Sequence, residues 1–99
     1  MRVEHLEKVY PCIADPWKLR IIAHLDEGPD IPLLAKYLDC KYSEDLGMVA
    51  YRTGIRELNF FDNGKVTIRM VDSEQEAIDL VNRTLTMAYH KSMLDDDDL

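Results

Sequence analysis

Polar and apolar residues alternate most regularly over residues 47–71. Three runs in this stretch, 47–52, 55–61 and 65–71, fit strands with one face buried and the other in water. Asp62-Asn63-Gly64 separates the last two runs and is typical of a hairpin loop whose glycine takes the left-handed conformation. The pattern therefore predicts a three-stranded antiparallel meander, and this stretch defines the fold class better than any other.

The length of each turn sets which residues face each other in this meander. A three-residue loop at Asp62 keeps apolar residues together on one face, whereas a two-residue Asn-Gly turn would mix polar and apolar residues on both. A two-residue turn at Thr53-Gly54 completes the register. The expected opposing pairs are Leu58 with Ile68, Phe60 with Val66, Glu57 with Arg69, Asn59 with Thr67, and Val49 with Leu58.

Helical spacing is the pattern elsewhere in the chain. Apolar residues at intervals of three predict a short helix over 3–10, which Pro11 ends. Asp15 as N-cap and Pro16 at the first helical position predict a second helix over 15–27. Asp30 is expected to cap a third helix that ends near residue 39, and residues 41–46 are expected to form a polar loop.

A long helix of about 20 residues is predicted after the meander. Asp72 or Ser73 supplies its N-cap, and Ser73 with Glu76 fits a capping box. Its last turns, including Met93, are expected either to project beyond the sheet or to fray. The expected fold is α+β, with N-terminal helices, a three-stranded antiparallel meander and a long C-terminal helix packed on one face of the sheet. Residues 1–94 form a single domain and 95–99 an acidic tail.

Composition limits the function classes. The chain has 99 residues, 46% of them hydrophobic, and no apolar run of the roughly 18 residues that span a membrane. Residues 1–10 lack the apolar stretch of a secretory signal, so the chain is expected to be cytoplasmic. The net charge is −7, and −3 without the four aspartates of 95–98. An acidic body works against nucleic-acid binding, because phosphate contacts need lysine and arginine.

No catalytic pattern stands out, and the chain is predicted not to be an enzyme. The three histidines, His5, His24 and His90, do not follow a metalloprotease spacing, and His24 is expected to be a surface residue. Three of the four glycines are needed in turns or caps, which leaves little backbone for a phosphate-binding loop.

Cys12 and Cys40 are the only candidates for metal or redox chemistry. They lie 28 residues apart without a Cys-x-x-Cys pair, so buried, reduced thiols are the first expectation. If helices 15–27 and 30–38 pack antiparallel, the two thiols would approach each other. Together with Asp39 and either Glu44 or Asp45 they could then bind zinc or contribute ligands to an iron–sulfur site.

Two segments resemble known families. Residues 14–28, followed by Leu34-Ala35, resemble the N-terminus of winged-helix repressors of the arsenic-repressor type, which implies DNA binding. A basic recognition helix should follow, and 39–46 is too short and too acidic for one.

Residues 30–83 are similar to a small domain that precedes a four-cysteine iron–sulfur motif in proteins of anaerobic bacteria and methanogens. The similarity lies in a Pro-Leu-Leu helix start, Tyr42, the hairpin with Gly64-Lys65-Val66-Thr67-Ile68, the acidic helix cap at Asp72 and Asn82. The cluster motif itself is absent here, so the resemblance implies the domain without its cofactor.

The function expected from the sequence is a non-enzymatic interaction or accessory module that works by protein–protein contact, with a link to iron–sulfur or anaerobic metabolism. One alternative is a thiol-based metal or redox protein that uses Cys12 and Cys40, and another is a winged-helix-like DNA-binding regulator. The expected partner is another protein or a second copy, bound through an uncovered edge strand or the projecting helix, with neither membrane nor nucleic acid involved.

Overall fold

Residues 1–97 are described by a computed structural model with six strands and two helices. In chain order these elements are β1 (Val3–Pro11), β2 (Leu19–Leu25), α1 (Ile31–Tyr37), β3 (Cys40–Ser43), β4 (Met48–Thr53), β5 (Arg56–Phe61), β6 (Lys65–Val71) and α2 (Glu74–Asp97). The strands form a single sheet in the order β1-β2-β6-β5-β4-β3, and all neighbours are antiparallel. The fold is α+β, but the predicted three-stranded meander is wrong, since it is only part of a six-stranded sheet.

The predicted helix over 15–27 is wrong because Asp15 closes a turn instead of capping a helix. Its Oδ1 accepts a hydrogen bond from the Trp17 N–H at 3.1 Å, and its carbonyl oxygen accepts one from the Lys18 N–H at 3.0 Å. Aspartate followed by proline favours such a turn as much as a helix start. Strand β2 then begins at Leu19, and its inner residues alternate through Ile21 and Ala23 to Leu25.

The predicted helix over 3–10 is wrong for a different reason. This segment is β1, and its pairing with β2 shifts register twice, between Val3 and His5 and between Leu6 and Lys8. In a regular strand the residues that face the core are two apart. Each shift inserts one extra residue, so the half-buried residues Val3 and Leu6 are three apart. A bulged strand thus imitates helical spacing.

The predicted polar loop over 41–46 is also partly a strand. Residues Cys40–Ser43 form β3 and pair with β4 from Cys40 opposite Tyr51 to Ser43 opposite Met48. Four residues with little apolar content give a weak strand signal, and β3 exists because β4 offers a free edge for it to pair with.

The register between β5 and β6 agrees with the prediction at all four pairs, including Leu58 with Ile68. Gly64 has a φ of 93°, as the three-residue loop requires. Between β4 and β5 the prediction is wrong, because Leu58 lies opposite Tyr51 instead of Val49. The turn there is Gly54-Ile55, with Gly54 first and at a φ of 61°, which is where glycine stands in a type II′ turn. The resulting shift of two residues leaves every side chain on its predicted face.

Both helices pack on the same face of the sheet. The α1 helix begins as predicted, with Asp30 Oδ1 accepting from the Leu33 N–H at 3.1 Å. At the start of α2, Ser73 Oγ accepts from the Glu76 N–H at 3.1 Å, and Tyr89 Oη, further along α2, accepts from the Asp30 N–H at 3.0 Å. Between sheet and helices lies one apolar layer, whose fully buried large side chains are Phe60, Ile21, Leu34, Leu58, Ile68, Leu85, Val49, Val66, Val71 and Val81.

The α2 helix is longer than the sheet it covers. Its 24 residues extend about 36 Å at 1.5 Å per residue, whereas a seven-residue strand extends about 23 Å. Met93 and Leu94 near its end are 65% and 51% exposed, as expected for a projecting helix. The helix continues to Asp97, so most of the predicted acidic tail belongs to it, and Asp98 and Leu99 lie outside the described residues. Within 1–97, neither helix has the length and apolar content of a membrane span.

The connection from β2 to α1 passes close to the β5–β6 turn. The Leu25 N–H donates to the Gly64 carbonyl oxygen at 2.8 Å, and a Cβ built on Gly28 would overlap the Asp62 carbonyl oxygen. Because that oxygen belongs to the backbone, the turn itself would have to move to make room.

We therefore expect Gly28→Ala to lower the free energy of unfolding by about 1–3 kcal/mol, the usual cost of overpacking. Urea unfolding followed by circular dichroism measures this. The neighbouring Glu27→Ala is the control. The Glu27 side chain is 64% exposed, and its ion pair with the terminal amine is long, at 3.9 Å, so its loss should cost less than about 1 kcal/mol. Equal effects of the two substitutions would contradict the proposed close approach.

Candidate functional site

The surface of the sheet that faces away from both helices is here called the open face. Strand alternation assigns side chains to it, since each inner residue is followed by an outer one. Neither helix contributes to it, and none of its residues belongs to the buried apolar layer. Its basic side chains are Lys8, Arg20, Lys41, Arg52, Lys65 and Arg69, and its acidic side chains include Glu7 and Glu57.

The open face is therefore basic although the whole chain carries a net charge of −7. The acidic residues lie mainly outside it, in loops and on α2, for example Glu74 and Glu76 in the first turn of that helix. A net charge averages over the surface, whereas a ligand meets the local potential. The acidic composition thus says little about what this face could bind.

Five open-face residues follow one another across the sheet at successive register positions, from β4 to β1. This set, here called the arginine row, is Arg52, Glu57, Arg69, Arg20 and Tyr10. Glu57 accepts a short hydrogen bond from Arg52, and its Oε2 lies 3.8 Å from Arg69 Nη1. The guanidinium carbon of Arg20 lies 4.3 Å from the centre of the Tyr10 ring, within cation–π range.

The next row across the open face is less charged. Asn59 Nδ2 donates to Thr67 Oγ1 at 2.9 Å in its centre, and Ile22 and Ala50 flank this pair. A depression of about 460 Å³ lies on the β3–β4–β5 side, between residues that include Lys41 and Arg52. The four residues of this row are half-buried and uncharged, and charged side chains lie on either side of them.

Histidines and an aromatic ring occupy the end of the open face away from the arginine row. His24 Nε2 donates to Glu7 Oε1 at 2.9 Å, and this hydrogen bond lowers the pKa of the Glu7 carboxyl. The rings of His5 and His24 stack with centres 4.9 Å apart, and Lys65 Nζ lies 5.7 Å from the centre of the Phe61 ring. Because Glu7 neutralises part of the charge here, the arginine row is the more basic end.

Exposed apolar side chains border the arginine row. The β1–β2 loop lies at this end of the sheet, and its Trp17 and Ile13 are 91% and 83% exposed. The β4–β5 turn lies at the same end, and its Ile55 is 59% exposed. Tryptophan is normally well buried, and exposed apolar side chains grouped at one end of a sheet are typical of an interaction surface.

The two cysteines lie on opposite edges of the sheet. Cys12 is buried in the loop after β1, where its N–H donates to the Lys18 carbonyl oxygen at 2.9 Å, and Cys40 begins β3. Five strand spacings of about 4.8 Å separate these edges, or about 24 Å. The structure does not bring the thiols together, because the helix pair on which that expectation depended does not form.

Cys40 lies beside Asp39 in the chain, but the pair shows no sign of activated thiol chemistry. Burial, followed by the charge of Asp39, raises the pKa of the Cys40 thiol above its usual 9.0, and its Sγ donates to the Leu34 carbonyl oxygen at 3.8 Å. A raised pKa keeps the thiol protonated near neutral pH, and the thiolate is the form that binds metals. Among the side chains of residues 1–95, which the structure describes, no three His, Cys, Asp or Glu are placed to share a metal ion.

Comparison with known proteins found no matching family model, no significantly similar curated protein and no significantly similar solved structure. The resemblances to the iron–sulfur-associated domain and to the winged-helix repressors therefore stay predictions.

The raised pKa of Cys40 and the burial of Cys12 predict distinct reactivities. At pH 7.5 we expect iodoacetamide to label Cys40 several-fold more slowly than glutathione, and Cys12 only after unfolding. Peptide mass spectrometry of the native protein over time measures both rates. The labelling rate at Cys40 should keep rising as the pH passes 9, because with a raised pKa the fraction of thiolate is still increasing there. Rapid labelling of Cys40 at pH 6 would contradict this assignment.

Proposed function

We propose that this chain is a non-enzymatic interaction module that binds an acidic segment of a partner protein at the arginine-row end of the open face. The observation that carries the proposal is the grouping of Arg20, Arg52, Arg69 and Tyr10 on an uncovered sheet surface, next to the loop with the 91% exposed Trp17. A partner with excess aspartate and glutamate complements this charge.

The residue types at this end favour a protein as the ligand. Tryptophan, tyrosine and arginine are the side chains that most often dominate the binding energy of protein interfaces. Trp17 and Ile13 project from a short loop, so both are free to enter an apolar depression on a partner. The ring of Tyr10 beneath Arg20 holds that guanidinium in place, which lowers the entropy lost on binding.

A nucleic acid fits this surface less well. Glu57 lies in the middle of the arginine row and Glu7 at the other end, so a chain of phosphates crossing the face would meet a carboxylate on either path. The net charge of −7 also repels a long polyanion. A short acidic segment needs only a few of the basic side chains, such as Arg20 and Arg69, and does not have to cross the face past Glu7.

A photoreactive amino acid in place of Lys8 tests the proposal. Lys8 is exposed on the open face, opposite Ile22 and close to Arg20. In cells that make the full chain, irradiation should link this position to a protein, and the linked peptide should be rich in aspartate or glutamate. We expect Trp17→Ala or Arg52→Glu to reduce the yield at least about tenfold, as loss of an interface hot spot does.

The matched control carries the same photoreactive group at Arg83, which is exposed on α2, away from the open face. Equal capture of the same protein at both positions would overturn the proposal. So would a cross-linked product that nuclease removes, which would indicate nucleic acid, or a product consisting only of a second copy of this chain.

A further inference from the structure

Arg20 and Arg69 lie directly opposite each other on the neighbouring strands β2 and β6. Opposing residues on paired strands have Cβ atoms about 5 Å apart, and like charges in such a pair destabilise a sheet. A pair of this kind needs a compensating negative charge, and the surrounding side chains supply only part of it.

The acceptors available to this pair are too few. Glu57 interacts with both Arg52 and Arg69, so one carboxylate serves two guanidinium groups. Arg20 contacts the Tyr10 ring, which supplies no formal charge. Among the described side chains of residues 1–95, the Nε atoms of Arg20 and Arg69 are the buried nitrogens that have no hydrogen-bond acceptor.

The backbone beside the pair is strained. Met70 has a φ of 65°, the one non-glycine residue of 1–97 with a positive φ. It is the extra residue of a bulge, because Leu19 faces Val71 while Arg20 faces Arg69. Such bulges redirect neighbouring side chains, and strained residues cluster at binding and catalytic sites. Here the bulge begins directly beyond the Arg20–Arg69 pair, so that Leu19 faces Val71 instead of Met70.

We infer that Arg20 and Arg69 form a binding site for a doubly charged phosphate group, carried by a phosphorylated side chain of the partner. The three arginines and one glutamate of the arginine row leave a net formal charge of +2, which a phosphate monoester dianion balances and a single carboxylate does not. The Nε–Nη edge of a guanidinium binds phosphate oxygens in a bidentate manner, and in both arginines the Nε of this edge has no acceptor in the free protein. The inference rests on the proposed function and names its ligand group.

Nuclear magnetic resonance of the full chain tests this site directly. The Nε–Hε signals of the arginines are followed while inorganic phosphate is added at pH 7.5 and constant ionic strength. We expect saturable shifts at Arg20 and Arg69 that disappear in Arg69→Gln and persist in Arg83→Gln. Binding should weaken several-fold at pH 5, because inorganic phosphate is then almost entirely the monoanion: its second pKa lies about one unit above the roughly 6 of a phosphate monoester. Acetate at equal concentration should give much smaller shifts.

A phosphoserine peptide with flanking aspartates, compared with its unphosphorylated twin, identifies the source of the phosphate group. The inference predicts at least about tenfold tighter binding of the phosphorylated peptide. If phosphate causes no saturable shift, if acetate matches it, or if Arg83→Gln abolishes it, the inference is wrong. The proposed function would survive that result as long as cross-linking at Lys8 still captures an acidic protein segment, so the two failures are distinguishable.

Discussion

The pairing of β2 with β6 is the contact on which the rest of the structure depends. β6 is the strand that joins the N-terminal hairpin to the β3–β4–β5 part of the sheet, and its Val66 and Ile68 are fully buried under the helices. A two-stranded hairpin alone is marginal in water, so β1 and β2 need β6 for their stability. The pairing joins distant parts of the chain, which makes it costly in loop entropy. The same contact places Arg20 beside Arg69, so the core and the candidate binding site arise from one register.

Local signals account for the parts of the fold that the sequence predicted. The hairpin at Gly64 and the caps at Asp30 and Ser73 each depend on a few neighbouring residues, and each lies where expected. Of the N-terminal strands, β2 depends on the distant β6, and the apolar spacing of both strands is also typical of helices. Ile22 is an example: it faces outward on β2, yet it lies three residues from both Leu19 and Leu25, which is the spacing of a helical stripe. Only β6, more than forty positions later, decides between the two interpretations.

The candidate site was less accessible to sequence reasoning than the fold. Glu57 and Arg69 lie on the outer face, as the alternation of their strands predicts. Arg20 belongs to a segment whose pattern predicts a helix, so the sequence does not place it beside them. Net charge also concealed the site, because the acidic residues in the loops and on α2 together outnumber the basic residues of the open face. The alternation of residues 19–25 was the available signal, and it has meaning only once the segment is recognised as a strand.

The two edges of the sheet bear on how the molecule behaves at high concentration. An edge with a long, regular row of free N–H and C=O groups acts as a template for strands of other molecules. Here one edge is the four-residue β3, and the other is β1, whose two register shifts interrupt its hydrogen-bonding pattern. Neither edge strand favours hydrogen-bonded pairing with a strand of another molecule. One whole face of the sheet can thus stay uncovered without strand-to-strand aggregation through the edges.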